Sequence, residues 1–149
     1  MQQKGVQIGG ISTPELREGQ RLGFEIVDMM SGERGILAHK NQSDGPRISQ
    51  YRVNVNDLEN IGVNGIEKAL EKNVDFIIID EIGKMELVSD AFQRVVWEAL
   101  DLQKVLGTIG QISHPFVTKV YNRADLKVYT LTPQNREQVF AELREVLQL

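Results

Sequence analysis

Residues Phe76 to Ile79 run Phe-Ile-Ile-Ile with no polar interruption and lead straight into Asp80 and Glu81. A strand that is apolar on both faces must be covered on both faces. The usual solution is a parallel sheet with crossover helices. The flanking sequence agrees with it. Leu58, Ile61, Ile66, Ala69 and Leu70 recur at helical spacing up to about Lys72. Phe92, Val95, Val96, Ala99 and Leu102 give a second amphipathic stretch. "VLGTIG" reads as another buried strand. Pro115 then falls at a plausible first helical position, with Val117 and Val120 following. "LKVYTL" is predicted to be a third parallel strand. Thr132-Pro133 opens a last helix expected to bury Val139, Phe140, Leu143, Val146 and Leu147.

The N-terminal part differs in period. From about Val6 to Val53 the chain looks β-rich: Leu22, Phe24 and Ile26 share one face at period two, "SGERG" supplies turn residues, "ILAH" follows as a partner strand, and "HKNQSDGPR" reads as a loop. The expected architecture is therefore one α/β domain over residues 1–149, with a hairpin region before the parallel sheet.

Composition narrows the function classes. The chain has 149 residues and no cysteine, which excludes disulfides, thiolate metal sites and a cysteine nucleophile and suits a reducing cytoplasm. A formal net charge of -4 without a basic block gives no nucleic-acid footprint. No apolar run approaches the roughly 18 residues of a membrane span, and the N-terminus lacks a signal-peptide core.

Ligands of parallel sheets bind at the carboxyl ends of the strands. Three polar clusters are expected there: Asp80-Glu81, Ser113-His114 and Thr132 to Arg136. A carboxylate at a strand tip can hold Mg²⁺ through its waters while the metal bridges phosphate oxygens. A neighbouring carboxylate can deprotonate a water for attack on a terminal phosphate. Equally, the pair could cap the next segment and face solvent. Gly83 allows the chain to turn just beyond them. Lys84 and Glu86 read as a solvated surface pair, with a role for Lys84 near phosphate as the sharper alternative. His114 reads as a helix-capping residue and Trp97 as a packing residue. The Arg136 guanidinium stands at the expected binding edge, where it could lie over a base or contact phosphate, or serve structure alone.

"FIIIDEIGKMEL", together with "GGISTPELREGQRLGFEIVD", "YRVNV" and "LTPQNR", resembles the THEP1-type nucleoside-triphosphatases, a family of the P-loop NTPase fold. The resemblance runs from about Gly5 to the C-terminus. It implies a RecA/AAA-type sheet and Mg²⁺-dependent hydrolysis of ATP, GTP and other nucleoside triphosphates to diphosphates. It implies that Phe76, Ile77, Ile78, Ile79, Asp80, Glu81, Ile82 and Gly83 form a nucleotide-binding segment of the Walker B kind. Asp80 is then the metal-site acid and Glu81 the water-activating base.

A phosphate loop reads G-x-x-x-x-G-K-[ST]. The Gly83-Lys84 pair does not fit it, because Ile78 stands at the first glycine position and Met85 follows the lysine. The resemblance places the loop ahead of Met1, with a first strand and most of a first helix, on the order of 25 residues. The expectation is a chain that hydrolyses poorly alone and leaves a groove in its sheet through which it could self-associate. The alternatives are a binding or regulatory module without turnover and a nucleotide-kinase-like protein.

Overall fold

The computed structural model describes residues 5–147. The chain forms β1 (Ile8–Ser12), β2 (Glu15–Glu18), β3 (Gln20–Asp28), β4 (Arg34–His39), β5 (Arg47–Ile48) and β6 (Tyr51–Val53). A helical rod follows: α1 (Val55–Asp57), a π-helical stretch (Leu58–Val63) and α2 (Asn64–Glu71). Then come β7 (Phe76–Ile82), a 3-10 turn (Glu86–Val88), α3 (Asp90–Leu100), β8 (Val105–Ile109), α4 (Pro115–Tyr121) and α5 (Arg136–Leu147).

All the strands belong to one mixed sheet in the order β5-β6-β4-β3-β1-β7-β8, with β2 paired to β3. The expected hairpin region and the expected parallel region are thus continuous. They join at β1, which runs antiparallel to β3 and parallel to β7. Gly10 makes that join possible. Its φ of +119° is open to glycine, and a Cβ there would overlap the Ile78 carbonyl oxygen of β7. The rod and α3 supply the cover that the β7 pattern demands. Ile11, Ile26, Leu58, Ile66, Ile77, Ile79, Phe92 and Val96 are all fully buried in one core. The helix starts follow local rules. Asn54 Oδ1 accepts from Asp57 N–H at 3.0 Å, and Ser89 Oγ accepts from Phe92 N–H at 3.0 Å. His114 caps α4 as expected, its Nδ1 accepting from Phe116 N–H at 3.0 Å.

Three expectations are corrected. "LKVYTL" forms no strand: residues 126–131 carry no regular structure. Strand character requires a partner ladder, and β8 is the last strand of the sheet. A cavity of about 600 Å³ separates β8 from this segment, and residues 105–109 line it in unbroken succession, as an open strand edge does. α5 begins at Arg136, three residues after Pro133, and its Phe140 is 61% exposed while Val139 is buried. Val146 falls among residues whose side chains lie outside the description, as does Leu147. Leu102 lies beyond the end of α3 and is exposed.

Candidate active site

Parallel pairing of β1 with β7 sets Ser12 opposite Asp80, so the chain leaving β1 passes the tip of β7. Thr13 follows, and its hydroxyl donates to the Asp80 carbonyl oxygen at 3.0 Å. On the other side of β7, the Thr108 hydroxyl donates to Asp80 Oδ1 at 2.8 Å. One carboxylate oxygen is oriented by that bond, and the side chain stands exposed at the mouth of the cavity. β7 does not end at Asp80. It continues to Ile82, and its ladder with β8 is irregular between Ile79 and Ile82. The Asp80–Glu81 peptide bond is cis. Gly110 N–H donates to Ile82 O at 3.0 Å, which closes the strand tips together.

Glu81 is exposed as a residue, but its carboxylate is turned back. A Cβ built on Gly83 would stand 3.1 Å from Glu81 Oε2, and one built on Gly110 would stand 3.8 Å from the same atom. Burial raises the Glu81 pKa above the ordinary carboxylate value, and the neighbouring Asp80 charge adds to the rise. That is the direction in which a carboxylate becomes a better proton acceptor near neutral pH.

The remaining residues of the segment divide by exposure. Ile77 and Ile79 are fully buried and can only position the strand. Ile82 and Gly83 are buried at the turn, Phe76 is half-buried at the far end, and Ile78 lines the cavity. Lys84 is exposed. Glu86 is not its surface partner: it is 3% exposed, a correction to the sequence expectation. The hydrophobic neighbours Met85 and Leu87 were the available signal. Thr13 and Thr108 were also missed, because only strand order brings them to Asp80.

In the other two polar clusters His114, Thr132 and Asn135 make helix-start contacts. Thr132 and Asn135 exchange hydrogen bonds ahead of α5, Thr132 N–H to Asn135 Oδ1 at 2.8 Å and Asn135 N–H to Thr132 Oγ1 at 3.2 Å. Arg136 is exposed at the first turn of α5 and does not line the cavity. Trp97 packs edge-on against Phe116, with Lys119 and Arg123 over its ring, as a packing role requires.

Among the described residues no group of three or more His, Cys, Asp or Glu side chains converges as a metal cage. The donors at the tip are oxygens: one exposed carboxylate bonded by the Thr108 hydroxyl, with the Thr13 hydroxyl on the Asp80 carbonyl and Ser12 opposite in the strand register. Such a set fits Mg²⁺, which keeps most of its waters and takes one or two carboxylates beside substrate phosphates.

Parallel strands β1, β7 and β8 with adjacent carboxylates at the β7 tip, backed by helices, define an α/β protein, and the solved structure it superposes on below gives this the P-loop NTPase fold. Residues 1–144 match the family described as NTPase. The chain is 45% identical over 141 residues to the nucleoside-triphosphatase THEP1 of Thermotoga maritima, covering 93% of this chain and 80% of that one. It is 40% identical over 144 residues to the nucleoside-triphosphatase THEP1 of Methanothermobacter thermautotrophicus, covering 96% and 80%. The crystal structure of THEP1 from the hyperthermophile Aquifex aeolicus superposes with a TM-score of 0.86 at 28% identity, over 99% of this chain and 88% of that one. The chain belongs to the NTPase family.

Proposed function

We propose that the protein is a nucleoside-triphosphate phosphohydrolase that converts NTP and water to NDP and phosphate, with Asp80 and Glu81 as its reacting centre. The observation that carries the reading is the pair itself. Asp80 is held open at the strand tip by Thr108, while Glu81 beside it is partly desolvated and raised in pKa. In this reading Asp80, with hydroxyls of Ser12, Thr13 or Thr108 nearby, would hold Mg²⁺. When bound, Mg²⁺ neutralises charge on the phosphate oxygens. Glu81 accepts a proton from the water that attacks the terminal phosphorus, and the bridging oxygen departs with the diphosphate. Nucleoside triphosphates as substrates fit a cytoplasmic protein.

These 149 residues contain no phosphate loop of the G-x-x-x-x-G-K-[ST] form. The decisive assay therefore joins the chain at its N-terminus to a strand, loop and helix that carry one. Glu81→Gln should then slow phosphate release by at least about 10²-fold, the scale of a positioned general base, with nucleotide still bound. Asp80→Asn should instead weaken Mg²⁺-dependent binding. Near-normal turnover in both variants would refute the assignment.

A further inference from the structure

The β2–β3 hairpin stands beside the tip of β7 and has no part in the hydrolytic reading. β4 takes one edge of β3, from Gly23 to Val27, so β1 and β2 share the other. β1 reaches only Val27 and Asp28. β2 pairs with β3 between Gln20 and Phe24, which lie past the carboxyl end of β1 because β3 runs antiparallel to it. β1 itself ends with Ser12 opposite Asp80. β2 is therefore a short wall rising beyond the strand tips on the β1 side of Asp80. Among the described residues no strand pairs with its outer edge.

Three charged side chains meet on this wall. Arg17 Nε donates to Glu15 Oε1 at 2.8 Å, and Arg21 Nη1 lies 3.4 Å from Glu15 Oε2. Glu15 is two residues nearer the tip, so Arg17 is turned back along its strand towards Asp80. The two arginines differ in what else holds them. The Arg21 guanidinium lies 5.5 Å from the centroid of the Phe24 ring, which packs edge-on against Tyr51. Among the described residues the Arg17 side chain makes no other hydrogen bond, and it is 56% exposed. One carboxylate against two guanidiniums leaves the trio net positive. Exposed ion pairs are weak, so an anion with more oxygens displaces Glu15 from Arg17 at little cost. Arg17 is also near enough to the tip. It follows Thr13, whose hydroxyl bonds the Asp80 carbonyl, by four residues, at most about 14 Å of chain.

We infer that Arg17 is a binding residue for the terminal phosphate of the nucleotide, held by Glu15 until the nucleotide arrives. This assignment rests on the hydrolytic reading, which puts the metal and the phosphates at Asp80. The cavity that gives a nucleoside room lies on the β8 side of Asp80, so the far end of the polyphosphate falls under β2. There the guanidinium neutralises charge that a triphosphate carries and a diphosphate lacks.

The test reads binding alone, so a wrong role for Glu81 as the base leaves it decisive. In the chain joined to a phosphate-loop segment, calorimetry with Mg²⁺ gives the Kd of a non-hydrolysable nucleoside triphosphate and of the matching diphosphate. Arg17→Ala should weaken the triphosphate by at least about tenfold, the scale of one charge-assisted hydrogen bond, and the diphosphate by less than about twofold. Arg17→Lys should recover part of the loss. Glu15→Gln breaks the same ion pair but frees the guanidinium, and should tighten the triphosphate by about twofold or more, the worth of an exposed pair. Equal changes for the two nucleotides in Arg17→Ala, or no change in either, would overturn the assignment. So would a Glu15→Gln that weakens the triphosphate as Arg17→Ala does, because the trio would then be a brace for the hairpin. A parent protein that binds neither nucleotide would defeat the hydrolytic reading itself. Both side chains are exposed, so the comparison does not depend on a core variant that fails to fold.

Discussion

Replacing Glu86 with Gln should change how the protein's stability depends on pH. An unfolded glutamate titrates near its ordinary 4.5; in the fold burial raises Glu86 to about 7. Its contribution to stability is fully present below the unfolded value. Above it, the native state holds a proton that the unfolded state has released, so stability falls as pH rises, until the native group also titrates near 7. Between about pH 5 and about pH 8.5 the loss is on the order of 2–3 kcal/mol. Gln cannot ionise, so the variant escapes this loss. For a chain of this size a kcal/mol corresponds to about 2–4 °C in Tm. Between those two pH values the wild type should therefore lose roughly 5–10 °C more than Glu86→Gln. The buried Asp28 carboxyl does not confuse the comparison. Burial opposes ionisation of Asp28, but Lys68 and the Met30 and Ser31 N–H groups outweigh it and hold its pKa low in both proteins. Thermal melts followed by circular dichroism supply the data. Equal losses in the two proteins would refute the argument that Glu86 is buried with its proton.

Gly10→Ala should destabilise the protein by about 1–3 kcal/mol or more, because the added methyl meets the Ile78 carbonyl at a backbone angle suited to glycine; urea unfolding measures this, and an unchanged midpoint would show that β1 and β7 are not joined as described. The open edge of β8 and the cavity beside it should leave the 149-residue polypeptide self-associating or of low stability. Size-exclusion chromatography with light scattering and a thermal melt check it; a monomer melting sharply above roughly 65 °C, beyond the usual mesophile range, would contradict it.

What could be read from the sequence follows from which interactions are local. Phe76–Ile79 announced a strand covered on both faces because burial on both faces writes a continuous apolar run. The spacing of Phe92, Val95, Val96 and Ala99 announced α3 because one helix face packs on the sheet, and His114-Pro115 marked a helix start through its own cap. "LKVYTL" misled because its residues suit a strand while the partner that would make it one is not specified locally. Asp80 and Glu81 stood out as carboxylates directly after an apolar run. Thr13 and Thr108 reach Asp80 only through strand order, from positions 67 and 28 residues away. Glu86 looked like a surface residue because a charged side chain reads as solvated, and the apolar Met85 and Leu87 on either side were the only local sign that the turn folds it inward.

The most direct test of the account is a crystal structure of the loop-bearing protein with Mg²⁺ and a non-hydrolysable nucleoside triphosphate. The account predicts the metal at the tip of β7, joined to Asp80 directly at about 2.0–2.1 Å or through a coordinated water. It also predicts a water within about 2.6–3.2 Å of Glu81, in line with the terminal phosphate. A nucleotide bound elsewhere, such as in the polar pocket between Asn41 and Asn56, with Asp80 and Glu81 facing only solvent, would contradict it.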